Sequence, residues 1–406
     1  MKVLRLEKSS HPRHWQQLYE RDSTLADQSF ADQLAVYCRG GIQYAGTMSR
    51  YLTDYGHEVT EIYTDVPPLQ RAWAREHGLE YPAIDPIRRL AFEQIRECQP
   101  DVLYIQDLRT LDTAFIREAR SRFPCIKIVT GFICSPSYDL DTLCALTFVL
   151  TCTREYLAEF KAAGATVYFA QHVFDPHQLE LLDMTAPRTR DIVFSGSLFR
   201  HQHGHWEREA VLEAMAGFPG LEIFCPQADL SYRRDLADTA LRCGAYAMQR
   251  ALQAAGVSHD ARRTLPVIGR AATWPGWPMR QLNRHLQHFM KPPVFGVDML
   301  EALRSARVCL NVVDHKEAAN WRLFEVTGVG SCLLTSYRDN MSELFEPDTE
   351  AVLYKSPAEC RERARWLLDH PADAERIAAA GHQRTLRDHT YAKRAAILDE
   401  LFRKYA

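Results

Sequence analysis

The chain has 406 residues, 46% of them hydrophobic and 25% charged, with a formal net charge of −3 at pH 7. That length fits two domains better than one core, the ordinary composition excludes extensive disorder, and the near-neutral charge gives no footprint for nucleic acid. No apolar run approaches a membrane span and the N-terminus MKVLRLEKSS has no signal-peptide core, so a cytoplasmic protein is expected. Eleven cysteines without a C-x-x-C pair indicate neither a disulfide framework nor a zinc ribbon, and reduced, mostly buried thiols are the expectation.

MKVLRL reads as a first strand. Residues 14–55 read as helices interrupted at Gly40 and Gly41. The alternative makes residues 34–38 a strand and RGGIQYAG a phosphate loop, but the apolar spacing from Phe30 to Tyr37 fits a helix as well. G-x-G-x-x-G is absent, which disfavours a nicotinamide-binding enzyme. After Gly56 come a strand at 59–63, the segment PLQRAWAREHG, a helix near 86–98 and the strand segment PDVLYIQD. A helix ending near Phe123 follows, then the strands IKIVTG and FVLTCT. This alternation describes one doubly wound half.

The polar stretch LLDMTAPRTRD, residues 181–191, reads as a linker. The alternation restarts with DIVFSGSL, a helix near 207–216 and a strand near 221–225, followed by a less regular region to about residue 293. Within that region, residues 271–293 carry Trp274, Trp277, His285 and His288 among several prolines, and are either a functional loop lining a cleft or a packed surface excursion. Residues 308–313, VCLNVV, then read as a buried parallel strand, Arg322 to Thr327 as a helix stopped by Gly328 and Gly330, and 331–335 as the next strand.

That last unit brings Arg322 and Glu325 to the carboxyl edge of a parallel sheet, where open α/β sheets bind nucleotides. Arginine matches phosphate oxygens bidentately, and a carboxylate accepts from ribose hydroxyls. The plainer alternative is an i,i+3 surface pair. Gly196 and Ser197 follow a strand of the same half and would let backbone N–H groups approach a diphosphate, with Arg208 adding charge. His201, His203 and His205 alternate without an acidic neighbour and read as a substrate-facing or solvated loop rather than a zinc site.

The order N-x-R-x-F-E, G-x-G, SELFEPDTEAVLYKS, HPADAERIAAAG and then Asp388-His389-Thr390-Tyr391-x-x-Arg394 resembles the C-terminal half of the CgeB-like, group 1 type glycosyltransferases. PLQ-x-x-WAREHG resembles their N-terminal half. The resemblance implies the GT-B architecture, an α/β fold of two Rossmann-like doubly wound domains facing a cleft. Residues 1–182 would bind the acceptor, 183–390 the nucleotide sugar, and a helix over 391–406 would return to the N-terminal domain. The implied activity moves a sugar from a nucleoside-diphosphate sugar, UDP favoured, to a glycan or other hydroxyl acceptor, with retention of configuration. No metal and no cofactor are implied, the donor being a substrate. Peripheral membrane association is compatible with such chemistry, and no oligomeric state is specified.

On the donor side the resemblance implies Gly196, Ser197, Arg208, His315, Asn320, Arg322 and Glu325, with Arg322, the 196–198 turn and a helix starting near Asn340 stabilising the departing diphosphate. Glu317 and Glu325 stand at the E-x-7-E spacing of retaining members, and Glu317 is divided between a sugar contact and a solvated loop. An inverting reaction would need a base from the N-terminal half, for which His11, His14, Asp107 and His172 are candidates. Asp139-Leu140-Asp141 is similar to the D-x-D of metal-dependent transferases of another fold, but reads here as a loop or helix cap. The rivals are an inactive glycan-binding scaffold and a nucleotide-sugar epimerase on the same fold.

Overall fold

Short apolar runs separated by amphipathic helices build two sheets in the computed structural model. It describes all residues except 10–11, 41–43, 135–137, 199–204, 259–260, 263–264, 266–267, 274–276, 279–282 and 314–315, and not the side chains of 205, 229, 270 and 273. The first sheet contains β1 (Lys2–Glu7), β2 (Glu58–Tyr63), β3 (Val102–Ile105), β4 (Ile128–Ile133), β5 (Phe148–Thr151) and β6 (Val167–Phe169), in the order β2-β1-β3-β4-β5-β6. The second contains β7 (Arg190–Ser195), β8 (Leu221–Phe224), β9 (Met290–Lys291), β10 (Ala306–Asn311), β11 (Cys332–Ser336) and β12 (Val352–Tyr354), in the order β12-β11-β10-β7-β8-β9. Every pairing is parallel.

Parallel sheets must be covered on both faces, and the alternation along each strand supplies both. In the first sheet Val3, Val102, Ile128 and Phe148 enter one buried cluster, while Leu4, Leu103, Val129 and Val149 enter another. In the second, Val193, Cys309 and Leu333 face the first of these clusters, and Ile192, Val308 and Cys332 face a third. The cluster shared by the sheets continues through Phe174, Phe324 and Tyr391, so the two halves have one continuous core between them.

The chain crosses between halves at Phe174. Its N–H donates to the His389 carbonyl at 2.8 Å, and Tyr391 N–H donates back to the Phe174 carbonyl at 3.1 Å. The final helix, Tyr391–Tyr405, lies on the helix Thr47–Asp54 of the first half. Beside this crossing, the fully buried Asp175 accepts from Thr47 Oγ1 at 2.8 Å and the Tyr51 hydroxyl at 3.1 Å.

Several expectations change. The stretch expected to be irregular contains a 23-residue helix, Tyr232–Ala254. It buries Asp235 and Gln249 while exposing Leu236, Leu241 and Met248, so its sequence carries no apolar stripe for periodicity to detect. Val312 and Val313 leave the ladder, Val313 N–H donating instead to Ser336 Oγ at 2.8 Å. Cys134 and Cys152, expected as free thiols, form a disulfide with Cα atoms 5.5 Å apart, while the other nine cysteines are free. Among the described residues no helix is long and apolar enough to cross a membrane.

Gly328 was expected to stop its helix, yet it is the last helical residue of Trp321–Gly328. A Cβ there would lie 2.4 Å from the Phe174 ring, so glycine is required for close passage of the crossing chain. Gly330, with φ +75°, supplies the left-handed exit. Gly328→Ala gains helix propensity of about 1 kcal/mol, but it drives a methyl into a fully buried ring. We expect a net destabilisation of about 1 to 3 kcal/mol, the usual scale for overpacking, read by chemical denaturation. A midpoint unchanged or raised would remove the tight crossing from the account.

Candidate active site

A cavity of 240 Å³ opens at the carboxyl edge of the second sheet. Its floor is the turn Ser195, Gly196, Ser197 after β7, and one wall is the start of the helix Trp321–Gly328, reached from the end of β10. Asn311 ends β10, and Asn320 N-caps the helix. Their side-chain amides bond each other, Asn320 Nδ2 donating to Asn311 Oδ1 at 2.9 Å, so strand end and helix start are held together. Arg322 Nη1 pairs with Glu325 Oε2 at 2.9 Å, and Arg322 Nη2 donates to Ser195 Oγ at 3.4 Å. Glu325 is buried, and its other oxygen accepts from the Tyr44 hydroxyl at 3.3 Å. Arg208 Nη1 donates to the Ser197 carbonyl at 2.7 Å and its guanidinium lies over the Phe194 ring.

Six expected donor-side residues, Gly196, Ser197, Arg208, Asn320, Arg322 and Glu325, therefore line one cavity. The i,i+3 pair is real, but it is withdrawn from the surface. His14 also lines the cavity, stacked on Phe295 with centroids 5.2 Å apart. His315 and His11 lie outside the described residues, as do His201, His203 and Trp274.

Other expectations need correcting. Glu317 does not line the cavity: Oε2 accepts from the backbone N–H of Arg154 at 2.7 Å, capping the start of the helix Arg154–Ala162 in the first half. Neighbouring Lys316 pairs with Glu155 at 2.7 Å. The loop is thus an exposed link between halves, which accounts for its charges. The helix expected near Asn340 is the single turn Met341–Leu344, too short for a useful dipole, and Asn340 Oδ1 accepts from Ala318 N–H at 2.7 Å. Asp139, by contrast, is the helix cap it was expected to be, accepting from Thr142 N–H at 3.0 Å at the start of the helix Leu140–Ala145.

Two further cavities adjoin the first sheet. One, of 580 Å³, is lined by Lys8, Asp107, Cys134, Asp139, His172 and Trp321 among others. His172 therefore sits beside the donor-side cavity rather than in it, its ring 4.6 Å from that of Trp321. Burial pushes the Asp107 carboxyl up, but hydrogen bonds from Lys8 and Thr110 outweigh burial and hold it below the usual range, which makes it a poor base. The other cavity, of 60 Å³, is lined by Glu7, Glu61, Arg5, Tyr44, Trp321 and Arg394.

Three functional candidates escaped the sequence reading. Trp321 lines all three cavities, and its buried Nε1–H, like Arg322 Nε–H, finds no acceptor among the described residues. Tyr44 reaches Glu325 from the first half with φ +59°, a conformation unusual for a bulky residue and common at ligand sites. It lies within RGGIQYAG, so the glycine-rich stretch was a usable signal though no phosphate loop. Glu7 shares a face of β1 with Arg5, its partner at 2.6 Å, and Arg5 also pairs with Glu61 at 2.8 Å. Burial pushes the Glu7 carboxyl up to about 7, against the pull of Arg5 and with added push from Glu61.

Residues 242–400 match a family model described as glycosyl transferase-like. Among solved structures the fold resembles Anabaena HepE in complex with UDP-glucose, with a TM-score of 0.57, 11% identity and 100% of both chains covered. It also resembles a glycosyltransferase from Rickettsia africae, with a TM-score of 0.56, 8% identity, and 100% of this chain and 98% of that chain covered. A third similar structure is sucrose-phosphate synthase from Thermosynechococcus elongatus, with a TM-score of 0.54, 11% identity, and 89% of this chain and 92% of that chain covered. No curated protein matches the chain. The fold is GT-B, two Rossmann-like sheets whose carboxyl edges supply the cavities.

The raised Glu7 carboxyl carries a pH signature. A folded-state value above the unfolded one means that folding takes up a proton, so this contribution is complete below about 4.5 and is lost as pH rises towards about 7. The native chain and Glu7→Gln, whose amide stays neutral, should therefore melt alike near pH 4.5 and draw apart as pH rises towards 7, the native chain alone losing stability as Glu7 ionises. Parallel curves would show that Glu7 titrates normally.

Proposed function

We propose that the protein is a glycosyltransferase that moves a sugar from a nucleoside-diphosphate sugar, UDP favoured, to a hydroxyl of a glycan or similar acceptor. The reading rests on one observation: the 195–197 turn, Arg208 and the Arg322–Glu325 pair converge on a single cavity at a parallel sheet's carboxyl edge. Residues 242–400 match a glycosyl transferase-like model, and the similarly folded HepE was solved with UDP-glucose. The orphan donors of Arg322 and Trp321 favour an oxygen-rich ligand, since a buried unpaired donor costs about 1 to 3 kcal/mol.

In this reading Gly196 and Ser197 admit the diphosphate, Asn320 fixes the helix start, and Glu325 accepts from ribose. Arg208 and Arg322 provide the fixed positive charge that a departing diphosphate requires, and the transfer proceeds without a metal. We assign the first half to the acceptor and the second to the donor. Among the described residues Glu325 is the carboxylate lining the donor cavity, and it is held by Arg322 and Tyr44. Retention follows as our proposal, a leaving phosphate oxygen taking the acceptor proton.

UDP in EDTA should raise the melting temperature in a concentration-dependent way, since it would bind only the folded chain. No shift with any nucleoside diphosphate would return the protein to the scaffold reading, and a product formed from donor alone would make it an epimerase. Glu325→Ala should weaken UDP binding by about 1 to 3 kcal/mol, roughly 5- to 150-fold in Kd by calorimetry. Arg322→Ala should lower kcat more than donor affinity, because diphosphate charge grows in the transition state. Equal losses would assign Arg322 to ground-state binding.

A further inference from the structure

Cys134 follows β4, Cys152 follows β5, and His172 lies shortly beyond β6, so three adjacent parallel strands deliver these residues to one carboxyl edge. The two sulfurs are bonded, and their Cα separation of 5.5 Å lies in the ordinary range for a disulfide. Each sulfur and an imidazole nitrogen of His172 lie within 4.8 Å of one another. Cys152 is buried and Cys134 half-buried, with Cys134 and His172 lining the 580 Å³ cavity. An exchanging reagent therefore has a route to the bond. An imidazole this close favours the thiolate, the species that performs exchange. The ring of His172 in turn lies against Trp321, which lines the donor-side cavity too.

We infer that Cys134 and Cys152 form a reversible thiol–disulfide modification site in the wall of the second cavity, opened by dithiols, closed by low-molecular-weight disulfides, and sensed by Trp321 through His172. In opening, a reductant thiolate attacks one sulfur, the Cys134–Cys152 bond breaks, and a mixed disulfide forms. The reductant's second thiolate then displaces the protein sulfur. Two electrons and two protons pass to the protein, leaving two cysteine thiols and a cyclic oxidised reductant. In closing, oxidised glutathione accepts the same two electrons and two protons and departs as two reduced molecules. The inference does not depend on the transfer reaction, because its readouts are covalent and spectroscopic.

The test equilibrates the full chain with graded ratios of reduced and oxidised glutathione, blocks free thiols by alkylation, and maps peptides without reduction. A peptide pair joined through Cys134 and Cys152 is expected, about 2 Da lighter than the two thiol peptides together, lost with dithiothreitol and restored by oxidised glutathione. Tryptophan emission should change in step in the native chain and stay constant in Trp321→Phe. Cys134→Ser and Cys152→Ser should each abolish both signals, and the peptide map of the native chain needs no variant to fold. Failure to link at any ratio, a link that dithiothreitol cannot open, or an emission change that survives Trp321→Phe overturns the proposal. So does a reduced chain that retains zinc and resists oxidised glutathione until a chelator is added, which would make the three residues a soft-metal site instead.

Discussion

The Arg322–Glu325 pair, closed by the Tyr44 hydroxyl, joins the candidate site to both halves of the molecule. It is a poor investment in stability alone. Withdrawing two charges from water costs several kcal/mol each, and a well-packed apolar pair of similar volume often serves as well. The partners are nevertheless arranged with care: Glu325 receives a hydrogen bond from the opposite half, and Arg322 reaches Ser195 at the end of β7. A paired, oriented and partly desolvated ion pair is preorganised to exchange one partner for a ligand's charge or hydroxyls. That use explains its position at the strand edge better than any contribution to folding.

Placement of that pair depends on the crossing at Phe174. The Phe174 ring lies against Gly328, at the C-terminal end of the helix whose N-terminal end carries Trp321 and Arg322. Backbone bonds from Phe174 to His389 and Tyr391 then lock the crossing strand to the final helix. The helix is thus clamped at one end by packing and at the other by the Asn311–Asn320 amides. Its first turn can therefore present Trp321 to all three cavities while remaining fixed.

The sheets were legible because parallel strands buried on both faces leave short continuous apolar runs, such as IVFS and VCLN, that need no partner to be recognised. Arg322 and Glu325 were legible because their spacing follows directly from helical geometry. Glu317 stayed divided between a sugar contact and a solvated loop because its loop has no periodicity, and its contact with the Arg154 backbone is set by the packing of the other half. Pairing of Cys134 with Cys152 depends on the adjacency of β4 and β5, which a spacing of 18 residues does not reveal. Tyr44 and Trp321 matter through contacts between halves, which local sequence does not specify, although the glycine-rich stretch around Tyr44 marked it as unusual. The helix Tyr232–Ala254 shows the converse failure, a regular element without an apolar stripe.

The charges of the three cavities are unevenly divided. Beside the second sheet, Arg208 and Arg322 form the cationic end, with Glu325 committed to a pair. Beside the first sheet, Glu7, Glu61 and Asp107 lie among Arg5, Lys8, Arg109 and Arg394 in two cavities that meet at Trp321. The carboxyls of that side are themselves split: Lys8 and Thr110 keep Asp107 ionised, whereas burial brings Glu7 to about 7. A carboxyl near neutrality can hold or release a proton at little cost. The cleft thus offers fixed cations for a leaving anion and, on the opposite sheet edge, a carboxyl poised to exchange a proton.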